Sequence, residues 1–159
     1  MRIPAASWQS AKWRRRAAFL VVVPCAGLLI GALNIPGAWY AELNKPSFTP
    51  PNWIFAPAWT VLYFLIAEAG FRAFHSNVRG TAAKLWSVQM VLNFAWSPLF
   101  FSLHRIGLAM VVIFALLVSV LAFVRSQWFG DRSAALLFVP YAAWLGFALA
   151  LNAAIFLLN

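Results

Sequence analysis

The sequence predicts an all-α, polytopic membrane protein, a bundle of five transmembrane helices, and three observations carry that expectation. Hydrophobic residues make up 64% of the chain and charged residues 9%, against about 25% charged in a soluble domain. So few polar groups cannot cover a water-soluble fold of 159 residues, whereas lipid accepts apolar side chains on the outside. The apolar runs are about 20 residues long and do not alternate, which suits spanning helices and not the ~10-residue alternating strands of a barrel. The charges fall almost wholly between these runs. Inside a bilayer every backbone N–H and C=O must be paired within the protein, and long helices achieve this. The length suits a single membrane domain, residues 17–159, behind a basic head, residues 1–16.

The first span is expected over 17–35, ending at Pro36-Gly37. A basic head before an apolar run also describes a signal peptide. This run is longer than a typical signal core and shows no small-x-small cleavage site at its end, so it reads as a retained helix. The single cysteine, Cys25, excludes an internal disulfide or Cys-x-x-Cys site and reads as core packing. Gly27 and Gly31 form a small-xxx-small pair that permits close helix approach. Residues 36–52 hold Pro36, Pro46, Pro50 and Pro51. Proline fixes φ and blocks helix, so ordered coil or turn is expected, with Trp39, Tyr40 and Phe48 at the membrane interface.

The second span, 53–74, tolerates Pro57 in its first turn and ends with Glu68 and Arg72 spaced as an i,i+4 ion pair. The third covers 85–103 and is followed by a tight turn, His104 to Gly107. The fourth, 108–124, is apolar all round except Ser119 and is expected to face lipid extensively. The fifth covers 133–158.

Charge sets the expected orientation. With five spans, Arg2, Lys12, Arg14, Arg15, Arg16, Arg72, Arg79, Lys84, Arg125 and Arg132 share one side, and Lys45 and Arg105 the other. That bias places the N-terminus inside and the C-terminus outside, and fits insertion into a bacterial cytoplasmic membrane. A net charge of +9 would suggest nucleic acid in a soluble protein; here it orients the chain, and no nucleic-acid partner is expected. No internal repeat is visible, which weighs against the repeat-built secondary transporters.

Polar residues within spans are costly and therefore informative. On the third span Gln89, Asn93, Trp96, Ser97 and Phe100 recur at steps of three and four and share a face; Tyr141, Trp144, Ala148 and Asn152 do so on the fifth, and Trp59 and Tyr63 on the second. These stripes can be read as interhelical hydrogen bonds. They can equally be read as a cavity of indoles, phenols and amides suited to a large, flat, apolar ligand, with Pro98 and Pro140 bending their spans to make room.

Trp39-Tyr40, Leu43-Asn44-Lys45-Pro46, Pro50-Pro51-x-Trp53 and Trp59-Thr60-x-Leu62-Tyr63 resemble the first loop and second helix of the TspO/MBR family, the tryptophan-rich sensory proteins related to the mitochondrial translocator. Gln89-x-x-Leu92-Asn93-x-x-Trp96-Ser97 with Phe100-Phe101 resembles its third helix, and Pro140-Tyr141-x-x-Trp144-x-x-Phe147-Ala148-x-x-Leu151-Asn152 its fifth. The resemblance runs from about residue 31 to 152. It implies a five-helix bundle, often a homodimer, that binds tetrapyrroles such as protoporphyrin IX or a haem-like ring as ligand, with no obligatory cofactor. In some members it implies sterols or isoquinoline-type ligands. It places a pocket beneath the first loop, lined here by Trp39, Tyr40, Pro51, Trp59, Tyr63, Asn93, Trp96, Ser97, Trp144, Phe147, Ala148 and Leu151. One departure concerns sterols: the tail after Asn152 has neither the tyrosine nor the basic residue of the translocator's sterol motif.

Three functions follow as expectations. A tetrapyrrole receptor or sensor needs only the aromatic pocket. A porphyrin-degrading enzyme would rely on Trp59 and Trp144, as the resemblance implies for light-driven members. General acid–base chemistry is poorly provided for, since Glu42 falls on the opposite side from Glu68 and Asp131. A transporter of porphyrins or sterols would need a gap between helices in place of a polar pore. His75 and His104 read as interfacial residues on opposite sides, and no metal site is expected. Lys45 and Arg105, the outer cations, are candidates to meet a ligand's carboxylates.

Overall fold

A computed structural model describes residues 5–159, with side chains described from Gln9 onward; Arg2 lies outside the described residues. Among these, all regular structure is helical: α1 (Ala5–Leu33), α2 (Ala38–Glu42), α3 (Phe55–Ser76), α4 (Thr81–Ser97), α5 (Ile106–Gln127) and α6 (Arg132–Leu158). A 3₁₀ turn, Asn52–Ile54, leads into α3, and a π-helical turn, Pro98–Ser102, extends α4. Four stretches are long and apolar enough to cross a membrane: Gln9–Leu33, Asn52–Ser76, Ile106–Gln127 and Arg132–Leu158. The third apolar run is divided, because α4 has 17 residues before Pro98. At 1.5 Å per residue that is about 25 Å, short of a ~30 Å hydrocarbon core without the π turn.

Several elements differ from the sequence reading for identifiable reasons. The basic head does not stop short of the first span but winds into it, since no glycine or proline stands between Ala5 and Val23. The loop 36–52 contains a helical turn, α2, in the gap between Pro36 and Pro46. Cys25 is exposed on the outer side of α1 and is not core. The fourth span keeps the extensive exposed face expected of it, with Leu108, Val111, Phe114, Val118 and Leu121, and adds one buried stripe of α5 that the sequence did not mark, Ala109, Ile113, Leu116, Val120 and Phe123.

The bundle packs α6 against both α5 and α3, and α5 against α4; α1 lies outside, chiefly on α3. Only 17% of the apolar window of α1 is buried, against 39% for α3 and α6, so α1 is a peripheral wall. The core gathers Ile66 and Ala69 of α3, Leu116 and Phe123 of α5, and Phe138 and Tyr141 of α6. Phe123 and Phe138 stack there at 4.2 Å.

Two glycines set close approaches on α3. A Cβ at Gly70 would overlap the Trp86 ring, whose Nε1–H donates to the Ile66 carbonyl at 2.8 Å. A Cβ at Gly27 would overlap the Tyr63 ring, so one half of the expected small-xxx-small pair seats an aromatic from α3 against α1.

Glu68 is paired more widely than its sequence neighbour suggested. Arg16 of α1 donates to it at 2.8 Å and Arg72 at 3.1 Å; Arg72 also reaches Asp131 at 3.4 Å. Asp131 caps α6, accepting from the Ala134 N–H at 3.1 Å. One carboxylate pair therefore ties α1, α3 and α6 at the end opposite α2. Glu68→Ala should lower stability by about 1–2 kcal/mol, more than an isolated exposed pair, because two guanidiniums lose their shared partner. Thermal unfolding in detergent measures it, with Arg79→Ala, which joins no such network, as the reference.

Candidate functional site

At the α2 end the helices diverge and enclose a cavity of about 450 Å³, within the ~300–1,000 Å³ range of small-molecule sites. Each wall is a stripe of one helix at steps of three and four. From α3 come Phe55, Trp59 and Tyr63; from α4 and its π turn Asn93, Trp96, Ser97, Phe100 and Phe101; from α6 Ala148, Leu151, Asn152 and Ile155. Leu28, Gly31 and Ile35 of α1 and the following stretch form the outer wall, and Tyr40 of α2 closes the top. The π turn has a structural role here. Its wider loop, closed by the Leu103 N–H on the Pro98 carbonyl at 2.9 Å, turns both Phe100 and Phe101 inward.

A chain of hydrogen bonds runs from the cavity wall into the core. The Tyr63 hydroxyl donates to Asn93 Oδ1 at 2.9 Å, Asn93 Nδ2 donates to the Tyr141 oxygen at 2.8 Å, and the Tyr141 hydroxyl donates to Gln89 Oε1 at 3.1 Å. A second link runs from Trp96 Nε1 to Asn152 Oδ1 at 3.2 Å, and from Asn152 Nδ2 to the Ile106 carbonyl at 3.1 Å. The stripes read from the sequence as either hydrogen bonds or cavity are both. Gln89 Nε2 and Trp144 Nε1 are buried without a partner among the described residues.

Of the residues expected at the site, Tyr40, Trp59, Tyr63, Asn93, Trp96, Ser97, Ala148 and Leu151 line the cavity. Trp144 stands behind that wall, 6.5 Å from Trp59 and nearly perpendicular to it, and Phe147 packs on Trp144 at 5.7 Å. Trp39 stacks on His104 at 4.0 Å, and Pro51 precedes the 3₁₀ turn at the surface. Phe55 and Ile155 were not singled out from the sequence, yet each lies one turn beyond a stripe that was, Phe55 before Trp59 and Ile155 after Asn152. Leu28 and Ile35 carried no signal, because a wholly apolar run offers no contrast to mark its inner face.

The loop above the cavity is held as a lid. Asn44 and Asn159 exchange hydrogen bonds, Asn44 N–H to Asn159 Oδ1 at 3.0 Å and Asn159 Nδ2 to the Asn44 carbonyl at 3.1 Å. Ser102 of the π turn hydrogen-bonds Asn34 at the end of α1. Lys45 donates to the carbonyls of Ala41 at 3.0 Å and Leu43 at 3.2 Å, and its ammonium lies 4.8 Å from the Tyr40 ring centre. Burial pushes the Tyr40 phenol above its usual range, so it stays neutral at the cavity roof. Arg105 lies in a separate surface hollow with Phe156 and Asn159. His104 adopts φ 53°, a left-handed conformation that histidine enters more readily than most residues, and its ring is engaged by Trp39. Among the described residues no three His, Cys, Asp or Glu side chains gather as a metal site, and the cavity lining holds none of these types and no lysine or arginine.

The fold and site thus define an integral membrane protein: an apolar helical bundle with an aromatic, amide-bearing cavity open at one end. Residues 18–158 match the model of the TspO/MBR family, and the chain belongs to that family. It is 40% identical over 147 residues to Protein CrtK of Rhodobacter capsulatus, covering 90% of this chain and 91% of the relative. It is 44% identical over 146 residues to the tryptophan-rich protein TspO of Archaeoglobus fulgidus, covering 88% and 92%. It is also 36% identical over 140 residues to the translocator protein of Sus scrofa, covering 82% of each.

Asn93 is the link on which both tyrosines depend. Asn93→Leu should destabilise the protein by about 1–3 kcal/mol, since two buried hydroxyls lose a partner. Tyr63→Phe, which leaves one acceptor unfilled and removes no ring, should cost about 1 kcal/mol or less. Thermal unfolding of the two variants in the same detergent compares them.

Proposed function

We propose that this protein is a membrane receptor for flat, apolar ligands of the tetrapyrrole class, protoporphyrin IX-like rings, held in the cavity beneath the first loop. The observation that carries this reading is the cavity's lining: two aromatic stripes, one from α3 and one from α4 with its π turn, Tyr40 above them, aliphatic walls from α1 and α6, and only neutral amides and hydroxyls as polar groups. Aromatic faces suit a conjugated ring, and Trp59 stacked on Tyr63 at 5.4 Å with Trp96 stacked on Phe100 at 5.5 Å offers two platforms. A metal-free ring suits this lining better than haem. Haem needs an axial ligand, and the one histidine near the lid is stacked on Trp39 outside the lining. Membership of a family that includes tryptophan-rich sensory and translocator proteins supports the same reading.

In this reading α4 and its π turn together make a fifth span, which orients the N-terminus inside, in a bacterial cytoplasmic membrane, and a homodimer forms through lipid-facing helix surfaces. A second reading, light-dependent degradation of the bound ring, is favoured by one feature: Trp144 stands 6.5 Å from Trp59, itself in the cavity wall. Sterols and isoquinoline-type molecules fit the same apolar volume, and transport would exploit the gap beside α1.

Titration of protoporphyrin IX into the detergent-held protein in the dark, followed by tryptophan quenching, tests the reading. Saturable binding is expected, weakened by about tenfold in Trp59→Leu through loss of the stacking platform. No saturable binding removes the tetrapyrrole function. Loss of the porphyrin spectrum under light, beyond a protein-free control, moves the assignment to an enzyme.

A further inference from the structure

We infer that the end of the bundle away from the lid is a docking surface for anionic phospholipids, whose phosphates meet its exposed cations once the chain has inserted. The inference is independent of what the cavity holds. Its first support is the fate of the acidic groups at this end. Among the described residues Glu68 and Asp131 are the carboxylates there, and both are spent on Arg16 and Arg72. The other cations of this end have no carboxylate partner among the described residues. Lys12, Arg14 and Arg15 are exposed on α1. Arg79 and Lys84 are exposed in the α3–α4 turn and the first turn of α4, and Arg125 and Arg132 on either side of the α5–α6 turn. At the lid end Glu42 stands with Lys45 and Arg105, so no comparable excess arises. The cations that direct insertion thus remain on the folded surface with no protein group to neutralise them, and like charges gathered in this way favour a layer of anions against them.

The second support is what stands beside these cations. Each of the three segments also exposes a large apolar side chain: Trp13 on α1, Val78 next to Arg79, and Phe129, 95% exposed, in the α5–α6 turn. The Arg16 guanidinium lies 5.4 Å from the Trp13 ring centre, and that of Arg132 lies 5.2 Å from the Trp128 ring centre. A cation beside an exposed ring suits the bilayer boundary, where the ring enters the acyl region and the charge meets phosphate. α1 packs chiefly on α3, whereas Arg125 and Arg132 belong to the α5–α6 pair. The cations and rings are therefore distributed over the ends of different helix pairs, and a layer of headgroups meets all of them at once.

The test is the lipid selectivity of the full chain, reconstituted in bilayers containing spin-labelled phosphatidylglycerol or phosphatidylcholine. Electron paramagnetic resonance gives the relative association constant of each lipid at low and high salt. Both leaflets have the same composition, so the direction of insertion does not enter. Phosphatidylglycerol is expected to be favoured by about fivefold or more at low salt, with the preference lost near ~1 M salt. Lys12→Gln combined with Arg14→Gln and Arg15→Gln should remove most of the preference, whereas Arg14→Lys with Arg15→Lys, which keeps the charge, should retain it. If the glutamine variant does not fold, Arg125→Gln with Arg132→Gln, from a different segment, makes the same comparison. Equal association of the two lipids overturns the inference, as does a preference that is indifferent to salt or unchanged in the folded glutamine variants. Binding of soluble polyglutamate to the protein in phosphatidylcholine bilayers, with no preference between the lipids, also overturns it and reassigns the surface to an acidic protein partner.

Discussion

Hydrocarbon offers no hydrogen-bond partner, so every polar side chain placed in a span must find one on another helix. The chain from Tyr63 through Asn93 and Tyr141 to Gln89 answers that constraint with residues of α3, α6 and α4. It fixes how far apart these helices stand and which faces they present. Helices packed by apolar contact alone slide and rotate at little cost, because lipid tails compete equally for their surfaces. With Asn93 engaged on two sides, α4 cannot rotate without breaking two bonds. The stripes that line the cavity are thereby aimed.

The cavity exists because the bundle is tied at one end and spread at the other. Arg16, Glu68, Arg72 and Asp131 draw α1, α3 and α6 together at the end away from the lid. Gly27 then lets α1 rest on the Tyr63 ring, and one turn later Gly31 meets nothing. Gly27 faces a ring of α3, whereas Gly31 faces the cavity, where an added Cβ would meet no atom within 4 Å. At the top, the paired amides of Asn44 and Asn159 and the contact of Asn34 with Ser102 hold the loop across the spread end.

How much of this was legible depended on contrast. Asn93, Trp96 and Ser97 stood out because amides, indoles and hydroxyls are rare within apolar runs, and their spacing named the inner face of α4. The buried stripe of α5 was not readable, since Ile113, Leu116 and Val120 differ little in polarity from the exposed Val111, Val118 and Leu121. Cys25 was misplaced for the same reason: small and apolar, it fits a core or a lipid face equally well. The reach of Glu68 to Arg16 is a contact across 52 residues, which no local spacing can announce, whereas its pairing with Arg72 is a matter of one helical turn. The division of α4 was half visible. Pro98 announced a bend, but the π turn that brings Phe100 and Phe101 inward together is a property of the backbone.

A site walled on one side by a helix that rests chiefly on one neighbour is not a rigid mould. The lateral pressure of the surrounding acyl chains bears directly on α1, and beside the cavity that pressure is met by the cavity's contents. Thicker or more ordered lipid presses the wall inward over a short ligand, and looser lipid lets it out over a broad one. The volume that a ligand meets is therefore partly a mechanical property of the membrane, and the lipid in which this protein is held forms part of the definition of its affinity.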